Sequence, residues 1–176
     1  MKDTPLDEAL DVPFTFQRRP RAFPCSMRPG WRMHVLMLIL NQCRGARASI
    51  EQLHVLNWAI RTEDTRQHFL QFLEGRRTPN QVIVRYDPSL SRAIDFAFAE
   101  RLVIREEQPG ELFEADDKRK KASPYRIVLG ERGRAMLARI QQMDDVLTVE
   151  KAFLKAIGKK VTQDQVAALF TWSPIT

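Results

Sequence analysis

From Arg32 to Cys43 the chain is apolar on nearly every side of a helical projection (RMHVLMLILNQC). That is the pattern of a helix buried all round rather than along one stripe, and it predicts a central helix. Gly45 breaks it, and Ser49 with Gln52 three residues later gives the capping-box signature of a new start. Ile50, Leu53, Leu56 and Ile60 fall on one face, so a second helix runs to about Ile60. A third covers Thr62 to Glu74, with Phe69, Leu70 and Leu73 inward and Gly75 ending it. Pro79 sits in the loop that follows.

Val82-Ile83-Val84-Arg85-Tyr86 is β-branched and aromatic, which predicts a strand. Asp87-Pro88 then supplies an N-cap with proline at the first helical position. The helix from Pro88 to Glu100 carries Leu90, Ala93, Ile94, Ala97 and Phe98 on one side. Leu102-Val103-Ile104 reads as a strand, residues 108–124 as a charged loop, and Tyr125 to Leu129 as another strand. Gly130 to Met143 is helical again. Two short helices follow, Thr148 to Ile157 and Thr162 to Phe170, divided by Gly158-Lys159-Lys160. Val149, Phe153 and Ile157 share a face of the first; Val166, Leu169 and Phe170 share one of the second. Such helices serve a homodimer and a larger assembly equally well.

Residues 1–30 hold Pro5, Pro13, Pro20, Pro24 and Pro29 and follow neither a helical nor a strand period, so they predict an extended arm. Phe14, Phe16 and Phe23 stand among its arginines. Disordered tails avoid aromatic residues, so these three point to an arm that docks either on its own body or on a partner. The expected organisation is therefore an arm (1–30), a helical core (31–143) and C-terminal helices (144–176).

The 176 residues, 20.5 kDa and 44% apolar content suit one domain with enough core to need no disulfide or metal. The longest apolar run, Val35 to Leu40, is six residues, far short of the ~20 that cross a bilayer. With no signal-peptide pattern, the expectation is a soluble cytoplasmic protein without a membrane partner. Cys25 and Cys43 form no C-x-x-C pair, and His34, His54 and His68 fall in no metal-ligand spacing. The seven glycines cluster into neither phosphate-binding motif. No metal, cofactor, small-molecule substrate or catalytic constellation is expected, and the chain does not read as an enzyme.

A net charge of +6 and a pI near 9.7 invite a nucleic-acid reading, which requires the charge to be concentrated. It is not. Residues 1–32, 33–80 and 131–176 each carry an excess of +2, and 81–130 balance. Two local clusters remain: Arg18, Arg19, Arg21, Arg28 and Arg32 near the start, and Lys118-Arg119-Lys120-Lys121 in the charged loop. The tetrad could grip phosphate, or could be a solvated loop cancelled by Glu114, Asp116 and Asp117. The 88–100 helix offers Arg92, Asp95 and Glu100, a poor set for reading base edges. Phe96 lies about 200° from Ile94 on that helix, facing outward; this marks a protein contact or packing under the arm. Arg85, Tyr86 and Asp87 form a compact polar cluster, either a cap with a local pair or a partner contact.

Helix, strand, basic loop, strand, helix is the order of a winged helix. With SLSRAIDFAFAERLVIREE and YRIVLGERGRAMLARI, residues 88–143 resemble the winged-helix family typified by the multiple-antibiotic-resistance regulators. Gly130 stands where that family has Thr, which leaves the cap of the last helix open. Residues 31–172 as a whole resemble the middle component of the bacterial ABC-type three-component defence systems, the Lamassu-like group. The matching stretches are LHVLNWAIRTEDTRQHFLQFLEG (Leu53 to Gly75), IVRYDPSLSRAIDFAFAERLV (Ile83 to Val103) and EKAFLKAIGKKVT (Glu150 to Thr162).

The expected fold class is mainly α with a small β wing (α+β), a winged helix-turn-helix with extra N- and C-terminal helices. The resemblance implies a non-catalytic subunit that binds an SMC-like ATPase and an effector, often a nuclease, in anti-phage or anti-plasmid defence. The alternative is a homodimeric winged-helix transcription regulator. Nucleic-acid contact is expected at Lys118, Arg119, Lys120, Lys121 and Arg92. Protein interfaces are expected at Phe14, Phe16, Phe23, Arg85, Tyr86, Phe96 and Phe153.

Overall fold

The computed structural model describes residues 28–107 and 125–170. The arm phenylalanines Phe14, Phe16 and Phe23 and the tetrad Lys118 to Lys121 lie outside the described residues. Within these, the protein is mostly helical with a small three-stranded antiparallel sheet.

Helix α1 (Pro29–Gln42) opens with proline in its first turn and buries Val35 through Leu40 without a break. It is buried all round because it packs against four other helices and the central strand. A short 3-10 turn (Arg44–Ala46) follows, with Gly45 and Ala46 both at positive φ. Strand β1 (Arg47–Ala48) leads into α2 (Ile50–Ile60), capped by Ser49, whose Oγ accepts from the Gln52 N–H at 3.2 Å. The Gln163 side-chain amide also donates to that Oγ, at 3.3 Å. Helix α3 (Glu63–Leu73) begins with a reciprocal capping box between Thr62 and Thr65. It ends at Gly75, whose φ of +72 closes the last turn.

The strand expected over Val82 to Tyr86 is absent. A 3-10 turn (Pro79–Gln81) precedes it, and the backbone is extended but unpaired. β-branched residues favour extended backbone, whereas a strand needs an open edge to bond. Here the sheet is completed by other segments. Val82 is buried, while Ile83 is 71% exposed.

Helix α4 (Pro88–Ala99) buries Leu90, Ala93, Ile94 and Ala97, the face expected from its spacing. It ends in a Schellman turn: the Leu102 N–H bonds the Ala97 carbonyl and the Arg101 N–H bonds that of Phe98. Arg101 takes the left-handed position, φ +54, where glycine is usual. Strands β2 (Val103–Glu107) and β3 (Tyr125–Leu129) pair antiparallel, Val103 opposite Leu129 and Glu107 opposite Tyr125. Strand β1 bonds the other edge of β3, so the sheet order is β1-β3-β2. The Arg105 guanidinium stacks on the Phe98 and Tyr125 rings, tying the end of α4 to the sheet.

Helix α5 (Glu131–Gln142) starts without a side-chain cap. The Gly130 N–H instead donates to the Leu102 carbonyl at 2.8 Å, and a Cβ at Gly130 would stand 3.0 Å from the Arg101 carbonyl. Glycine sits there because the first turn of α5 crosses directly over the α4–β2 turn. Helices α6 (Thr148–Ile157) and α7 (Gln163–Phe170) complete the described chain, α6 packing on α1 and α2, and α7 on α2. Phe153, expected at an interface, is core instead. It is 6% exposed and its ring lies 6.5 Å from that of Phe69, because α6 turns this face onto the body. Val149, one turn earlier, stays exposed.

Candidate functional site

The N-cap of α4 anchors a buried polar node. Asp87 must face the helix start to cap it, and its Oδ1 accepts from the Ser89 N–H at 3.0 Å. Its Oδ2 meets Arg32 Nη1 of α1 at 2.5 Å and Asn57 Nδ2 of α2 at 3.4 Å. Arg61 Nη1 lies 3.8 Å away at the solvent side. Arg32 and Asp87 are only 5% and 8% exposed. Burial pushes the Asp87 carboxyl up, but the Ser89 and Arg32 hydrogen bonds outweigh it and hold the pKa below its ordinary value.

His54 closes the node from α2, where its Nδ1 faces the Asp87 N–H at 3.5 Å. Burial lowers the His54 pKa against the pull of Asp87 and Glu51, which keeps the ring neutral and Nδ1 free to accept. The Tyr86 ring lies 4.2 Å from that of His54 and 5.5 Å from that of Phe170, so an exposed aromatic step bridges α2 and α7. Three helices and the 82–87 segment are thus locked at one point. Every ionised contact of Asp87 is met by a donor, and what the arrangement does chemically is hold the start of α4 in place.

Of the residues expected to act, the structure brings Tyr86 and Asp87 together with Arg32, His54 and Asn57. Arg85 points away, exposed and without an ion pair among the described residues. Arg92 and Phe96 lie exposed on the outer face of α4, with Asp95 between them in sequence; Phe96 is 51% exposed. The sequence reading missed His54, Asn57 and Arg61 as partners of Asp87. Their signal was available: they recur at i, i+3 and i+7, one polar stripe along the second helix and its C-cap.

A cleft of about 370 Å³ lies elsewhere, between the end of α1, the 44–47 turn, β3 and the α6–α7 linker. Cys43 is on its wall, and burial pushes this thiol up to about 12. It is therefore no thiolate nucleophile. In a Cys25→Ser variant, Ellman's reagent at about pH 8 should label nothing in native buffer and one thiol in denaturant; native labelling would contradict the burial.

Among the described residues no group of three or more His, Cys, Asp or Glu could hold a metal ion, and no helix is long and apolar enough to cross a membrane. No protein-family model, curated protein or solved structure matches this chain.

Proposed function

We propose that this chain is a non-catalytic winged-helix subunit of an SMC-like ATPase and effector (nuclease) complex in bacterial anti-phage or anti-plasmid defence, an adaptor that bridges subunits and touches the DNA backbone. The observation that carries the reading is the outer face of α4. This helix occupies the place of a recognition helix, directly before the β2–β3 pair, yet it presents Phe96 with Arg92 and Asp95 rather than a row of base-reading side chains. An exposed aromatic residue on a helix whose opposite face is fully packed is the chemistry of a protein contact.

The sheet order β1-β3-β2, with α4 entering β2 and α5 leaving β3, supports the winged-helix part of the reading. The two helices of a helix-turn-helix are usually joined by a turn of roughly three to four residues. Here α3 and the 74–87 segment intervene between α2 and α4. That departure also favours an assembly role over a compact DNA reader, and function is argued from the site rather than from the fold.

Co-expression with the products of the neighbouring genes tests the reading by co-elution with an SMC-like ATPase and an effector. The expected result is one complex, weakened about tenfold or more by Phe96→Ser while the circular dichroism spectrum is unchanged. A stable homodimer that binds one duplex sequence selectively, with or without the neighbours, would overturn it in favour of the regulator.

A further inference from the structure

The cations of this chain are spread along the sequence, but folding gathers four of them. Arg44 and Arg47 flank the turn after α1, Arg126 stands on β3, and Lys159 lies in the α6–α7 linker; all four line the 370 Å³ cleft. Among the described residues its lining contains no carboxylate and no aromatic ring. Glu106 reaches Arg47 at 3.0 Å from the sheet surface, but both side chains are about half exposed and such a pair is weak. Arg44, Arg126 and Lys159 have no ion pair among the described residues.

The backbone is shaped to make this gathering. Gly45 and Ala46 adopt consecutive left-handed conformations, φ +71 and +51, and Arg44 and Arg47 on either side both reach the cleft. An alanine in that region is strained, and strain is retained where surrounding structure fixes it. Like charges lining one concave surface repel each other and focus a positive potential outward. An anion relieves both effects.

We propose that this cleft binds the phosphodiester backbone of a nucleic acid. Arginine and lysine supply charge for phosphate oxygens, while the Gln52, Thr162 and Gln163 side chains in the same lining are the kind that contact phosphate and sugar. A free nucleotide would need a surface on which to stack its base, and the described lining residues offer none. The contact is sequence-independent and lies apart from α4. It deepens the backbone-contact part of the proposed function, but it is independent of subunit assembly.

Fluorescence anisotropy with two labelled duplexes of unrelated sequence, titrated with the full chain between about 50 and 200 mM salt, tests it. The two duplexes should bind alike. Combining Arg44→Gln, Arg126→Gln and Lys159→Gln should weaken binding about tenfold or more and flatten the slope of log K against log salt by up to about 2.7. Should the triple variant unfold by circular dichroism, Lys159→Gln alone, in an exposed linker, should still flatten the slope by about 0.9. Unchanged affinity and slope in a folded variant overturn the proposal. So does displacement of the duplex by adenosine monophosphate or polyglutamate at lower concentration than by unlabelled duplex. Loss of assembly in the Phe96→Ser experiment leaves these titrations untouched, so the two readings fail separately.

Discussion

Asp87→Ala is expected to destabilise the protein by about 3–5 kcal/mol in urea denaturation followed by circular dichroism. The loss comes less from the missing attraction than from what stays behind. Arg32 would remain a buried cation facing no carboxylate, with its Nε already lacking a hydrogen-bond partner. The α4 cap would vanish with it, itself worth about 1 kcal/mol. Asp87→Asn keeps a capping oxygen and loses the charge, so it should fall between the alanine variant and the parent. A loss under about 1 kcal/mol for the alanine variant would mean that Arg32 finds water or another acceptor.

The same node sets the response to acid. Asp87 has a folded pKa below its ordinary 3.8, so its contribution is complete above that value and is lost as pH falls through the folded pKa. The depressed His54 pKa acts in the same direction: its contribution is complete above the ordinary 6.5 and declines on acidification toward the folded value. Melting temperature should thus fall in two stages as pH drops; Asp87→Asn should abolish the lower stage and, by removing the pull of Asp87 on His54, extend the upper one to lower pH.

Gly133→Ala is the second large effect. A Cβ there would lie 2.1 Å from the Leu102 carbonyl oxygen, closer than any real contact, and 3.2 Å from Met37 Sδ. Methionine can yield; the carbonyl cannot, because it accepts the Gly130 N–H that seats α5. The helix must lift from the α4–β2 turn. The expected cost is about 3 kcal/mol, at the upper end for overpacking, read as a lowered denaturation midpoint with an unchanged slope. Gly30→Ala makes the control, since nothing lies within 4 Å of a Cβ there.

Most of the helices were legible because each carries its own period, cap or terminator. The unbroken apolar run of α1, the Ser49 cap, Gly75 and the Asp87-Pro88 start each mark an element that formed. Two errors share a cause. Val82 to Tyr86 has strand composition without a free sheet edge, and Phe153 lies on an apolar helix face that suits a partner but that α6 turns onto Phe69. Both depend on which surfaces other segments leave open, and no local pattern states that. The two-residue strand β1 was invisible for the same reason: Arg47 and Ala48 become a strand only by bonding β3. For the candidate sites, Asp87 was visible as a cap, but its tie to Arg32 spans 55 positions. The four cations of the cleft come from three separate stretches that sequence reading placed in balanced or diffuse regions.

Helix α1 touches both sites at once. Arg32 in its first turn holds the carboxylate that seats α4, and Gln42 at its last turn walls the basic cleft. Fourteen residues make it a rod about 20 Å long. It is enclosed on all sides by a core as dense as an organic crystal, so it has little freedom to bend and transmits displacement along its axis. Whatever displaces one end is felt at the other, so through α1 the seat of α4 and the wall of the cleft form one mechanical unit.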